Sequence, residues 1–220
     1  MEMTRTIQIP AVAARRPQDP EPDLTAMRVI HRAMLGDLRR LAEDRGGQDA
    51  AIRRYTTLLL SEIHHHHTNE DDLLWPVIER TAGQAVDLAL FTDDHLALQT
   101  ILTRCTAALA GDLAQLRKAL GELHEMLAEH IADEESDVFP IIRQFVPAGT
   151  YQWCEDQIAK RAGLRQLLFT VPWLSSWATP EELDGMLDRA GSRFRLMLAL
   201  TRGRYQRLER ASIALPRPMP

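Results

Sequence analysis

The sequence predicts an all-α protein: an antiparallel four-helix bundle built from a duplicated helical hairpin, followed by a C-terminal helical extension. Three observations lead there. Apolar residues recur at helical spacing through most of the chain, and no useful stretch alternates as a half-buried strand does. The pattern of residues 24–77 returns 64 residues later, over 88–141. Residues 151–220 do not repeat, yet they carry helix signals of their own.

The first stripe runs Leu24, Met27, His31, Met34, Leu38 and Leu41, and Gly46-Gly47 is its stop signal. The second runs Leu59, Ile63, His66, Glu70, Leu73 and Val77. A third, Leu88, Phe91, His95, Leu98, Leu102 and Cys105, closes before Gly111, and a fourth runs Leu123, Leu127, His130, Glu134, Val138 and Ile141. Four amphipathic helices with short connections bury their stripes most economically against one another. The 64-residue offset carries His31 onto His95, His66 onto His130, Glu70 onto Glu134, and Trp75-Pro76 onto Phe139-Pro140 without a gap. Such a repeat implies two hairpins about a pseudo-two-fold axis.

Pro147-Ala-Gly149 marks the boundary of the repeat. The expected organisation is an extended or flexible segment over 1–22, the bundle over 23–147, and an extension over 148–220 that packs on the bundle or on a second subunit. Within the extension, Glu155 to Phe169 reads as a short helix and Val171-Pro-Trp173 as a turn. Thr179-Pro-Glu-Glu182 has the signature of a capping box, and Arg193 to Arg210 forms an Arg-rich last helix before a frayed Pro216–Pro220. Trp153, Leu164, Leu167, Leu168, Phe169, Trp173, Leu174 and Trp177 are too apolar for a solvated linker.

Charge narrows the class of partner. Residues 1–150 carry 15 basic and 24 acidic side chains, whereas 151–220 carry 11 and 7. An acidic main body argues against nucleic acid, and no apolar run is long enough to cross a bilayer or to act as a secretory signal. A cytoplasmic location with no membrane partner is expected. Two cysteines, Cys105 and Cys154, are too few for a disulfide scaffold.

The chemistry lies on the stripes. Each half offers one His from its first helix and an H-x-x-x-E pair from its second, so His66 and Glu70, like His130 and Glu134, share a helix face. Carboxylates buried together repel one another unless a cation joins them. Two His per ion and two carboxylates able to bridge suit a pair of iron ions; manganese is an alternative and zinc is less natural. In the run His64–His67, a competing register would pair His67 with Asp71, but the offset places His67 on Ile131 and selects His66 with Glu70. His64, His65 and His67 are then expected to face solvent or to support the ligands from behind, and His124 to lie on the surface.

This H…H-x-x-x-E…H…H-x-x-x-E pattern, with Trp-Pro or Phe-Pro beyond each Glu, resembles the hemerythrin-like (HHE) cation-binding proteins over Asp23 to Pro147. The resemblance implies an up-down-up-down bundle around a non-haem diiron centre with an oxo, hydroxo or water bridge. It makes His31, His66, His95 and His130 terminal ligands, with Glu70 and Glu134 bridging. The oxygen-carrying members supply H-x-x-x-H from the third helix, whereas this chain reads His95-Leu-Ala-Leu-Gln99. About four donors per ion leave room for exogenous ligand, which favours reaction with O2, H2O2 or NO over stable O2 carriage. Gln99 is either a hydrogen-bond donor to a bound oxygen species or an ordinary surface amide, and Glu62 either a proton donor or reserve ligand or a solvated edge residue. Peroxide decomposition, NO handling, and sensing or storage without turnover through the C-terminal helices all stand at this point, as does a homodimer formed through the extension. A relative that repairs iron centres carries an N-terminal cysteine, and here none precedes Cys105.

Overall fold

A computed structural model describes residues 9–43, 46–214, 216 and 217. All of its regular structure is helical, and the described residues contain no strand. The helices are α1 (Thr25–Glu43), α2 (Asp49–Asn69), α3 (Trp75–Ala82), α4 (Ala89–Ala108), α5 (Leu113–Asp133), α6 (Phe139–Phe145), α7 (Ala148–Arg161), α8 (Leu164–Trp177), α9 (Pro180–Ala190) and α10 (Ser192–Ser212). Among the described residues no helix is long and apolar enough to cross a membrane.

The second rod of each hairpin is interrupted at one place. A π-helical turn, Glu70–Leu74, joins α2 to α3, and Glu134–Val138 joins α5 to α6. The cause is the proline six residues beyond each Glu, because Pro76 and Pro140 offer no N–H and crowd the carbonyl four residues back. The preceding N–H reaches back one residue further, from Trp75 to the Glu70 carbonyl and from Phe139 to the Glu134 carbonyl. The extra residue shifts the helical register, so Ile142, not the expected Ile141, is fully buried in α6.

α1, α2, α4 and α5 close a ring in which each helix packs on the next, and α5 returns to α1. Two separate apolar clusters fill it. One holds Met34, Leu38, Leu59, Ile63, Leu98, Leu102 and Leu127; the other holds Leu24, Leu74, Trp75, Phe91, Val138 and Phe139. Along each stripe the His and Glu positions fall between members of the two clusters. The bundle therefore carries a polar slab between two dry layers. Each large side chain buried there contributes roughly 1.5–3 kcal/mol.

The extension completes the first cluster. α8 packs on α1, and α10 packs on α8 and α2. Phe169, Trp173 and Trp177 enter the core, while Leu164 and Leu168 stay exposed on the single chain. Val171-Pro-Trp173 is not a turn, since Pro172 sits inside α8 and is buried. Burial of the aromatic face of α8 outweighs the hydrogen bond that proline removes. The helix expected over 155–169 is instead α7 and the start of α8, broken at Ala162-Gly163. Thr179 forms the expected capping box with Glu182.

Asp37, fully buried on α1, ties the two parts together. It accepts from Tyr55 OH at 2.6 Å, Trp173 Nε1 at 2.8 Å and Arg40 at 2.8 Å. Tyr55 also meets Tyr205 OH of α10 at 2.9 Å. Arg217 donates to Glu209 at 2.7 Å and to the Ser176 carbonyl at 2.6 Å, so the tail is held there; residues 218–220 of the expected frayed end lie outside the described residues. Likewise, part of the expected flexible segment is anchored, with Arg15 N–H donating to the Phe145 carbonyl at 2.7 Å, while residues 1–8 lie outside the description.

Gly47 is required by both its positive φ of 83° and the Ser212 carbonyl, into which an added Cβ would run. At Gly36 the constraint is contact alone, because a Cβ would overlap the Trp177 ring. Gly36→Ala should cost about 1–3 kcal/mol of stability by forcing α8 off α1. A denaturant melt checks this, and an unchanged midpoint would mean that Trp177 has room to turn aside.

Candidate metal centre

The polar slab gathers seven buried side chains into two groups. His31, His66, Glu70 and Glu134 form one; His67, Glu70, His95 and His130 form the other. Within each, one potential ligand atom from every residue lies within 4.8 Å of all the others. All six ligand candidates read from the sequence are therefore brought together. Glu70 is common to both groups, whereas Glu134 belongs to one, which departs from the expectation that both carboxylates bridge.

His67 is the larger correction. It is 4% exposed rather than facing solvent, and its ring packs against those of His95 and His130. Its Nδ1 donates to the Ile63 carbonyl at 2.7 Å, which leaves Nε2 as the inward atom. Adjacent helix residues point about 100° apart, so His66 and His67 can flank one corner of the slab from either side. The 64-residue repeat hid this, since the matching position is Ile131.

The rings are held from outside by partners that follow the duplication. His31 Nδ1 donates to Glu135 at 2.9 Å, and His95 Nδ1 donates to Asp71 at 2.8 Å. His31 stacks on Phe139 and His95 on Trp75. In both cases a His from one half is braced by the carboxylate and aromatic of the other half's π turn. His130 Nδ1 donates to Asp94 at 3.4 Å. Bracing of this kind fixes the tautomer that leaves Nε2 free to bind a cation. The offset that maps Asp71 onto Glu135 was visible in the sequence; what it did not show was that these two carboxylates cross to the opposite half, whereas Asp94 stays in the half of His130.

A hydrogen-bonded polar core is the competing explanation, and it fails on the inner atoms. Both oxygens of Glu70, both of Glu134 and Nε2 of His67 are buried without a hydrogen-bond partner. Glu70 Oε1 lies 3.0 Å from His66 Nε2, yet the pair lacks hydrogen-bond geometry. Nε2 atoms also face one another, His31 to His66 at 3.1 Å and His95 to His130 at 3.3 Å. These atoms converge on the same two places in the slab. Buried polar groups are seldom left so without an ion.

The electrostatics agree. Burial pushes the Glu70 carboxyl up to about 8 and holds Glu134 well above the carboxylate range, with Glu70 adding to the effect. Burial pushes His66 down to about 3 and His130 to about 4, with His95 contributing to each. Without a cation Glu70 and Glu134 prefer to be neutral acids and His66 and His130 neutral imidazoles, and a cation reverses the preference of the acids alone.

A family model for the hemerythrin HHE cation-binding domain matches residues 23–142. The chain belongs to the hemerythrin HHE family. No curated protein and no solved structure matches it significantly. The buried His and Glu clusters of this hemerythrin domain make it a metal-binding domain. The helices from α7 onward lie beyond the matched segment.

The two remaining candidates are placed apart from the ligand groups. Gln99 is exposed and accepts from His64 Nδ1 at 3.0 Å, so its amide is engaged on the surface. Glu62 is buried, not solvated, and accepts from Thr170 Oγ1 at 2.9 Å; burial pushes it up to about 7. His65 and His124 are half-buried outside both groups.

Proposed function

We propose that the slab holds a pair of iron ions, one in each four-residue group with Glu70 shared, and that the centre reacts with small oxidants: O2, H2O2 or NO. The observation that carries this reading is the pair of overlapping buried groups in which all four carboxylate oxygens of Glu70 and Glu134, and Nε2 of His67, have no hydrogen-bond partner. The donors, imidazole and carboxylate only, suit iron, and four per ion leave coordination positions for an exogenous ligand. When bound, iron supplies the redox couple and those open positions.

The chain's own residues shape what reaches the site. Glu135, Asp71 and Asp94 hold three imidazoles in orientation, and the two apolar layers restrict water. Glu62 retains a proton up to about pH 7 one helical turn before His66, where it can serve as a proton source. Mixing the anaerobically loaded protein with each oxidant, while following visible absorption and O2 release, tests the reading. Fast oxidation in air is expected. A stable, reversible O2 adduct would instead favour a carrier.

A second reading, sensing or storage without turnover, is supported by one contact. Arg161 of α7 donates to Asp72 at 2.8 Å and to Asn69 at 3.1 Å, so the extension grips the π turn that carries Glu70. If this contact transmits the metal state, protease cutting within 148–220 should differ between reduced and oxidised protein.

Among single imidazole variants, His66→Ala and His67→Ala should both lose metal, and His64→Ala should not. Retention of full metal content by His67→Ala would remove it from the ligand set.

A further inference from the structure

Between the bundle and the extension lies a chamber of about 310 Å³. Its bundle side includes Met27 and Ile30 of α1 together with His66 and Glu70, and most of its remaining wall comes from α7, α8 and α9. Leu167, Val171, Leu174 and Met186 face it from the extension. Two residues of the candidate metal centre thus border an apolar space that the family-matched segment does not build on its own.

The size and lining select the occupant. Allowing about 15 Å³ for each water-sized position, the chamber has room for on the order of 20 non-hydrogen atoms. That far exceeds a diatomic gas or peroxide and reaches the range of sites for organic ligands. Apart from Glu155, whose carboxyl burial pushes up to about 7, the charged groups away from the metal side are engaged or peripheral. Glu62 is bonded to Thr170, Arg189 is paired with Asp23, and Asp156 and Arg193 are exposed at the rim. A charged molecule inside would lose its hydration without a dedicated partner, which is costly.

We propose that this chamber binds an uncharged, largely apolar organic molecule, with one end against His66 and Glu70. The proposal extends the metal-centre reading by naming what lies beside that centre, but binding itself does not depend on a loaded metal.

The test uses the full-length chain, metal-free and iron-loaded, with the uncharged fluorophore N-phenyl-1-naphthylamine as probe. Saturable binding at one site per chain is expected in both forms. Ala159→Trp and Val171→Phe each add bulk to a different wall and should weaken the probe at least about tenfold, with iron content and thermal midpoint preserved. n-Decanol should displace the probe at least about tenfold more effectively than decanoate, because the carboxylate loses hydration on entry. Absence of saturable binding would overturn the proposal. So would wild-type affinity in both variants, or equal competition by decanol and decanoate. Probe binding in a protein that takes up no iron would uphold the chamber and remove the metal reading; iron uptake with no probe binding would do the reverse.

Discussion

Glu70→Ala should leave a protein almost without metal, because Glu70 is the one side chain shared by both ligand groups. Glu134→Ala should retain part of its metal, since the group of His67, Glu70, His95 and His130 stays complete. Elemental analysis of the two variants after identical loading separates these outcomes. Equal retention in both would mean that Glu70 is not the one shared carboxylate.

Removing the metal should also change the pH dependence of stability. In the metal-free protein, His66 and His130 have folded pKa values below the unfolded one. They therefore raise stability with increasing pH until about 7.5, where unfolded imidazole has lost most of its proton. Glu70 has a folded pKa raised to about 8, so its contribution falls from the unfolded value near 4.5 up to about 8. The two trends oppose each other up to about pH 7.5, and only the carboxyl trend remains above it. Glu70 should thus cost the metal-free protein on the order of 1–2 kcal/mol between about pH 6.5 and 8, partly offset by the imidazoles in the lower half of that interval. In the metal-loaded protein this Glu70 loss should be absent, because the cation holds Glu70 ionised. Urea melts at the two pH values give the answer, and a metal-free protein that gains stability over that interval would contradict the burial argument.

The second large effect concerns the extension. Trp173 is fully buried and donates to Asp37, which also anchors Tyr55. Trp173→Ala should cost roughly 3–5 kcal/mol through the cavity. Trp173→Phe should keep most of the packing and cost roughly 1–3 kcal/mol, because a buried carboxylate loses a donor. Truncation after Pro147 combines both losses and strips cover from the first apolar cluster, so an insoluble or strongly destabilised product is expected. A truncated chain that melts like the whole protein would show the extension to be an independent unit.

These effects also mark what the sequence could and could not reveal. The four stripes were legible because helical periodicity and a gapless 64-residue offset are both properties of spacing alone. His31, His66, His95, His130, Glu70 and Glu134 followed from them. His67 did not, because the same symmetry that chose the register of His66 argued against its neighbour. The slip from Ile141 to Ile142 was hidden in a π turn, although Pro140 was its visible cause. Asp37 gave no signal, since its three donors come from α1, α2 and α8, which only folding brings together. Pro172 read as a turn because local propensity ignores the burial of Phe169, Trp173 and Trp177 on the same helix.

The central claim is that two metal ions share Glu70 inside the bundle. Anaerobic titration of the metal-free protein with Fe(II), followed by elemental analysis of the desalted product, tests it most directly. The account predicts a break at two equivalents per chain and co-retention of both ions; a break at one equivalent, or iron lost entirely on desalting, would contradict it.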